Sequence, residues 1–172
     1  MTGVAIVREM RYNMGIKGGV RVNLLIRSHA PAWDTEYPAE VQPGEEFRVL
    51  TSQEGNFHHI RVYDGTGTEV GYVFQNRTGV TGVCRGRELL TVDRRMGLLH
   101  QMIPVIRSEQ FRWCSLFRGD IQKRDYVLYA NRCPITVYPP THGVAVECVD
   151  SVAQPLEVLI LVLAIEAIAQ YT

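Results

Sequence analysis

Four arginines within eleven residues form the densest group of side chains in the sequence that could bind a charged ligand. They are Arg85, Arg87, Arg94 and Arg95. A planar guanidinium group can hold a phosphate or a carboxylate through two hydrogen bonds. The first two would share one face of a strand, whereas the last two are adjacent and would point apart. Since Glu88 and Asp93 lie among them, a solvated, ion-paired surface is the alternative interpretation.

Residues that could act as nucleophiles, bases or metal ligands are scattered. His58 and His59 are adjacent, so on a strand they would face opposite sides and could not share one metal ion. The four cysteines form no CxxC pair, and Cys114 and Cys148 lie in apolar runs where a thiol is inert. The sequence contains no GxSxG elbow, phosphate loop or GxGxxG motif. We therefore expect no catalytic residue, no metal and no cofactor.

The overall charge excludes partners that depend on a strong electrostatic field. The 172 residues carry 18 basic and 18 acidic side chains, so we expect no nucleic acid as a partner. All the basic residues are Arg except Lys17 and Lys123. This bias fits either the composition of the genome or a surface used for contacts, where Arg is favoured over Lys.

The elements that must position these residues are mainly strands. Short β-rich runs are separated by Gly, Pro, Asn or Asp, which is typical of an all-β fold. The clearest unit is a hairpin, because Asp64-Gly65 joins two runs with period-two alternation. Ala30–Pro43 contains three prolines and is predicted to be a loop. About ten strands are expected, at Val4–Arg8, Val20–Arg27, Glu46–Thr51, Phe57–Tyr63, Thr68–Gln75, Arg87–Asp93, Met102–Arg107, Phe111–Phe117, Tyr126–Tyr129, Ile135–Tyr138 and Val144–Val149.

The last apolar run, PLEVLILVLAIEAIA at 155–169, predicts one buried helix. It is too long for an ordinary strand, and Pro155 suits a first helical turn. Asp150 and Ser151 are candidate caps, and Glu157 would interact favourably with the helix N-terminus. A transmembrane helix needs about 20 apolar residues, and this run is shorter and acidic. Because it has no polar side, other polypeptide must enclose it, and a curled sheet is the economical solution.

The N-terminal half resembles a bacterial-type SH3 domain. The similar features are LLIRSHAP, PGEEFRVL, FHHIRVYDG and the closing GYV, in that order between Val20 and Arg77. This resemblance implies peptide or cell-wall binding through an aromatic-lined groove, with Trp33, Tyr37, Phe57 and Tyr72 as candidates. For Phe57 and Tyr72 the strand pattern favours an ordinary place in the core.

The C-terminus is similar to that of the tubby-like superfamily, which includes LURP-one-related proteins and phospholipid scramblases. The similar run is GVAVECVDSVAQPLEVLILVLAIEAI. This resemblance implies a barrel with an apolar helix through its middle. It also implies binding of phosphoinositides, a membrane surface or a protein, with the arginine group holding phosphate.

Together these observations predict a mainly β, barrel-like antiparallel sheet around a buried hydrophobic C-terminal helix. We expect an N-terminal strand and linker at 1–19, an SH3-like segment at 20–80, and a β segment with the helix at 83–172. The two segments could form one barrel. The expected function is a non-catalytic protein-interaction or scaffold module, with an anionic phospholipid headgroup as the alternative ligand. Met1–Gly15 lacks the apolar stretch of a secretory signal, so we expect a reducing, cytoplasmic-type compartment with free thiols.

Overall fold

The computed structural model describes most of the predicted elements. It describes residues 21–26, 36–42, 45–54, 57–77, 79–96, 102–111, 115–121, 123–130, 133–139, 144–149 and 154–169. The predicted strand at Val4–Arg8, Trp33 and the candidate caps Asp150 and Ser151 lie outside these residues.

Twelve strands and one helix make up the described chain. The strands are β1 (Arg21–Ile26), β2 (Glu36–Gln42), β3 (Glu45–Glu54), β4 (Phe57–Tyr63), β5 (Glu69–Gln75), β6 (Gly79–Cys84), β7 (Arg87–Met96), β8 (Met102–Arg107), β9 (Ser115–Asp120), β10 (Asp125–Ala130), β11 (Cys133–Tyr138) and β12 (Val144–Val149). The helix, α1, spans Pro155–Ala169. The predicted mainly β fold with a C-terminal helix is confirmed.

All twelve strands belong to one antiparallel sheet. Its order is β8-β7-β6-β5-β4-β3-β2-β1-β12-β11-β10-β9, so each strand lies beside its neighbours in the chain, and β1 also pairs with β12. The two edges are therefore the consecutive strands β8 and β9. Their Cα atoms come within 8 Å of each other, but the two strands share no ladder, so the sheet does not close into a barrel.

The helix begins with a capping hydrogen bond from its third residue. Val158 N donates to the carbonyl of Gln154, so Gln154 is the N-cap and Pro155 the first helical residue. Glu157, the third helical residue, accepts a hydrogen bond from Gln154 N at 3.1 Å and another from the Gln110 amide at 3.0 Å. This is the carboxylate half of a capping box. It also connects the start of α1 to the turn after β8.

The sheet encloses α1, as we expected for a helix that has no polar side. Leu156 and every residue from Val158 to Ile168 are buried. The strands that pack most closely on the helix are β6, β5 and β7, followed by β1 and β8. The inner face of the sheet supplies large buried side chains such as Phe47, Leu90, Leu128 and Ile135. The prediction of a buried C-terminal helix is confirmed.

Two glycines allow the helix to approach the sheet closely. A Cβ atom on Gly82 would lie 2.7 Å from Ile160 Cγ2, and one on Gly71 would lie 2.8 Å from Ile160 Cδ1. Ordinary contacts between carbon atoms are about 3.5–4.0 Å, so no side chain fits at either place. Gly71 and Gly82 therefore form a recess in β5 and β6 that receives the Ile160 side chain.

The strand prediction was wrong in two places, one at a proline and one at glycines. Residues 36–42 form β2 rather than a loop, because Pro38 lies beyond the part of β2 that pairs with β1 and its missing N–H interrupts no ladder there. Gly79 and Gly82 lie within β6, between the strands predicted at Thr68–Gln75 and Arg87–Asp93, where none was predicted. The reason at Gly82 is the close contact with Ile160 rather than a turn.

Two other boundaries also differ. The strand predicted at Phe111–Phe117 begins at Ser115, and Phe111 is instead buried in the turn after β8. The proposed boundary between the SH3-like segment and the rest, at 80–83, falls within β6. Since strands pair continuously across that point, the two segments contribute to a single sheet.

Candidate functional site

Aromatic rings cluster on the outer side of the sheet, away from the helix. The antiparallel register places His59 directly opposite Phe74, and Arg61 opposite Tyr72. The His59 and Phe74 rings are stacked with centroids 6.4 Å apart, and the Phe74 and Tyr72 rings are 5.9 Å apart at a tilt of 34°. Beside them, Phe57 is 39% exposed and is the one large hydrophobic side chain classed as exposed in the described chain. A continuous apolar surface therefore faces solvent.

An arginine extends this surface on the neighbouring strand. Arg48 of β3 is paired with Tyr63 of β4, and its guanidinium carbon lies 5.1 Å from the centre of the Tyr63 ring. Arg48 Nε also lies 3.2 Å from Glu36, in an ion pair whose two side chains are about half exposed. We call Phe57, His59, Tyr63, Tyr72 and Phe74, together with Arg48 and Arg61, the aromatic face.

The structure places the side chains of two of the four predicted groove residues. Phe57 and Tyr72 lie on the aromatic face, so the expectation that they fill the core was wrong. Tyr37 belongs to β2, where it pairs with Val49, but its side chain is outside the described part of the structure, as is all of Trp33. Sequence reasoning missed Phe74 and Tyr63, although the signal was present: β4 and β5 carry large apolar residues on both faces.

The structure also divides the predicted arginine group. Arg85 and Gly86 form the turn between β6 and β7 with φ values of 50° and 76°, and both Arg85 and Arg87 are exposed. Arg94 lies seven positions after Arg87 along β7. A strand rises about 3.3 Å per residue, so their backbones are about 23 Å apart. Arg94 and Arg95 therefore cannot join Arg85 and Arg87 in holding one headgroup.

An acidic neighbour further reduces the case for a phosphate site at Arg85. Asp64 lies in the β4–β5 turn, and its carboxylate accepts hydrogen bonds from Thr66 N, Thr66 Oγ1 and Thr68 N. The Thr66 hydroxyl is the main cause of the lowered pKa of Asp64, and the charge of Arg85 also contributes. The Arg85 charge thus acts on a carboxylate of this chain.

The other candidate chemical groups remain apart. His59 stacks on the outer face, whereas His58 is turned the other way, with Nδ1 buried. Cys84 is a free, buried thiol at the end of β6, and burial raises its pKa, which makes it less reactive at neutral pH. Within the described ranges, no three His, Cys, Asp or Glu side chains are grouped as metal ligands would be. No helix among these residues is long and apolar enough to cross a membrane.

Comparison with known proteins adds no identification to this geometry. No protein-family model, curated protein or solved structure matches the chain. The resemblances to bacterial SH3 domains and to the tubby-like superfamily therefore stay predictions, and any functional argument depends on the aromatic face itself.

Proposed function

We propose that this protein is a non-catalytic interaction module that binds a protein partner on the aromatic face. The observation that carries the proposal is the group of neighbouring aromatic rings on the solvent side of β4 and β5, in which Phe74 packs against both His59 and Tyr72. An antiparallel sheet that packs one face on a core usually presents polar residues on the other. Contiguous apolar surface on the outside of a protein commonly marks an interaction site.

The composition of the face favours a protein as the partner. Aromatic residues and Arg are enriched in protein interfaces and account for most binding hot spots, whereas Lys and Glu are depleted. The rings of His59, Phe74 and Tyr72 already pack on one another, so binding would fix few additional torsions. The face thus combines large contact area with a small entropic cost.

Arg48 indicates the charge of the complementary surface. Its guanidinium group is held over Tyr63 while its ion pair with Glu36 remains half exposed to water. Exposed pairs of this kind are worth little, about 0–1 kcal/mol, so a partner carboxylate could replace Glu36 at small cost. We expect a partner surface that packs apolar side chains on the rings and places an acidic residue at Arg48.

Site-specific photo-crosslinking in cells tests this proposal. A photoreactive phenylalanine derivative at Tyr72 should give one discrete protein adduct. The same group at Asp125, an exposed residue of β10 seven strands away from β5 in the sheet, should give none, and Phe74→Ser should abolish the adduct at position 72. Equal adducts at both positions would contradict the proposal. Flotation with vesicles containing anionic phospholipid, lost on Arg85→Ala together with Arg87→Ala, would favour the headgroup-binding alternative.

A further inference from the structure

Two residues other than glycine have a positive φ within the described ranges, and both are arginines. They are Arg85, with a φ of 50°, and Arg124, with a φ of 55°. A side chain makes this left-handed conformation unfavourable, and Gly or Asn usually occupies it. Residues that are strained in this way are often found where the side chain has a structural or functional role.

The role of Arg124 lies within the fold. Arg124 is buried in the turn before β10, and its Nη2 lies 3.5 Å from Oε2 of Glu166. Glu166 is 5% exposed in the last turn of α1. A buried carboxylate needs a nearby positive charge to remain ionised at low cost. The contact with Glu166 is therefore a sufficient reason for an arginine at position 124.

Arg85 has no comparable contact. It is exposed, and its guanidinium group makes no hydrogen bond or ion pair with any residue that the structure describes. Its charge acts on Asp64, but that carboxylate already accepts three hydrogen bonds from Thr66 and Thr68. The Arg85 side chain is therefore available for a contact outside the chain.

The turn that contains Arg85 favours a different residue. Cys84 and Arg87 are paired at the ends of β6 and β7, so Arg85 and Gly86 form a two-residue hairpin loop. Their φ values of 50° and 76° are those of a type I′ turn, for which Asn-Gly is the preferred sequence. Gly86 fits this preference, whereas an arginine at position 85 strains the hairpin.

Arg85 lies at one end of the aromatic face. Its amide donates to the Val70 carbonyl at 2.8 Å, and Val83, two residues earlier, pairs with Tyr72. Diagonal neighbours of this kind are about 7–8 Å apart, which is within reach of a long side chain. A partner that packs on Tyr72 would therefore come close to the Arg85 guanidinium group.

Arg48 lies at the same end, on the other side of the aromatic face. Arg48 pairs with Tyr63, and Tyr63 pairs with Glu69, the residue before Val70. Three spacings of about 4.8 Å separate β3 from β6, so the backbones of Arg48 and Arg85 are about 14 Å apart along the sheet. Two arginines thus flank the rings at this end.

We propose that Arg85 is a second cationic anchor of the aromatic face and binds a carboxylate of the protein partner. This inference rests on the proposed function and identifies a further binding residue of the same site. A guanidinium group holds a carboxylate through two parallel hydrogen bonds, which suits an interface. The complementary surface then carries two acidic residues about 14 Å apart, at Arg48 and at Arg85, with apolar side chains between them.

The charges around Arg85 favour a carboxylate over a phosphate. Asp64 is close enough for the charge of Arg85 to act on it. A phosphate monoester carries about 1.5–2 negative charges at neutral pH, so Asp64 would repel it more strongly than it would repel a carboxylate. An acidic side chain of a protein is therefore the ligand that we expect.

Arg85→Asn tests the proposal, because relief of strain and loss of binding should change two measurements in opposite senses. Thermal unfolding should show a Tm about 2–4 °C higher, since Asn suits the type I′ turn. The yield of the photo-crosslinked adduct at position 72, measured in cells at an expression level that does not saturate it, should fall by about fivefold or more. A substitution that only removed a structural contact would lower both.

Three control variants separate strain from charge. Arg85→Lys keeps the strain and the charge but loses the planar fork, so Tm should not change and only part of the adduct should remain. Arg87→Asn makes the same exchange at an exposed residue without a positive φ and should not raise Tm. Lys123→Asn removes one positive charge from the distant β9–β10 turn and should leave the adduct unchanged.

The possible failures of this inference and of the proposed function can be told apart. A wild-type adduct at position 72 that persists in full in Arg85→Asn would overturn the role of Arg85 and leave the proposed function in place. The same holds if Arg85→Asn does not raise Tm, or if Arg85 is instead required for flotation with anionic vesicles. If the wild-type chain gives no adduct at position 72, the proposed function fails and the role of Arg85 fails with it.

Discussion

Gly82→Ala should destabilise the protein by forcing a methyl group against Ile160. The new Cβ would lie 2.7 Å from Ile160 Cγ2, about 1 Å inside an ordinary carbon–carbon contact. Since α1 is enclosed by the sheet, it cannot move away freely, and overpacking of this kind costs about 1–3 kcal/mol. Replacing Gly also restricts the unfolded chain, and this offsets about 0.4–1 kcal/mol of the lost stability. We expect a net loss of about 1–2 kcal/mol, or about 2–8 °C in Tm for a chain of this length.

A double-mutant cycle tests the cause as well as the size of this loss. Ile160→Ala removes Cγ2, so its combination with Gly82→Ala should be less destabilising than the sum of the single changes, with a coupling of about 1 kcal/mol or more. Ile160→Val keeps Cγ2 and removes only Cδ1, so it should not rescue Gly82→Ala. It should partly rescue Gly71→Ala, whose Cβ would lie 2.8 Å from Cδ1. Part of that strain would remain, because the Val83 carbonyl oxygen is 3.0 Å away.

The measurement is urea or thermal unfolding of the single and double variants, with Gly65→Ala as the control. Gly65 lies at the tip of the β4–β5 hairpin, and no atom lies within 4 Å of a Cβ placed there. Its substitution should therefore change stability by no more than about 0.5 kcal/mol. If Ile160→Val rescues both glycine variants equally, or if Gly82→Ala is neutral, the proposed contact with Ile160 is wrong.

Two further predictions follow from single buried or hydrogen-bonded groups. Leu159→Asp should prevent folding, because Leu159 is 0% exposed and a lone buried charge costs about 3–5 kcal/mol, whereas the total free energy of unfolding is about 5–15 kcal/mol. Soluble protein that melts cooperatively would contradict this. Leu159→Met is the volume-matched control. Asp64→Ala should loosen the β4–β5 turn, since three hydrogen bonds disappear. Because the pKa of Asp64 is lowered in the folded chain, the stability that its carboxylate contributes is present above the ordinary aspartate pKa and is lost as the pH falls through the lowered pKa. NMR of the Thr66 and Thr68 amides can follow this loss.

The elements that the sequence predicted well are those with a strong periodic pattern. The helix was expected at 155–169 and spans the same residues, because a run without a polar side permits few alternatives. The β4–β5 hairpin was likewise expected from Asp64-Gly65 between alternating runs. The prediction failed at Pro38 and Gly82 because the meaning of each depends on a neighbour in space. Pro38 is tolerated where β1 does not pair, and Gly82 is required by Ile160.

The candidate sites were harder to predict because they depend on register and on long-range contacts. Four arginines close in sequence became two separate pairs, since β7, which contains three of them, is ten residues long. The contact between Arg124 and Glu166 joins positions 42 residues apart, and no local pattern announces it. For Phe57 and Tyr72, the strand was correctly predicted but the face was not. A period-two pattern separates two faces without stating which one the core uses.

Packing against the enclosed helix does not account for the aromatic face. The inner side of β4 and β5 is already occupied, because Ile60, Val62, Val70 and Val73 are buried there in the core that surrounds α1. The sheet therefore gains little from further apolar residues on its outer side, where strand-forming polar residues such as Thr would pair equally well. Phe57 nevertheless stands exposed, and Tyr72 and Phe74 pack at a tilt in partial contact with water. The proposed binding of a protein partner would account for the presence of these rings on the outer side of the sheet.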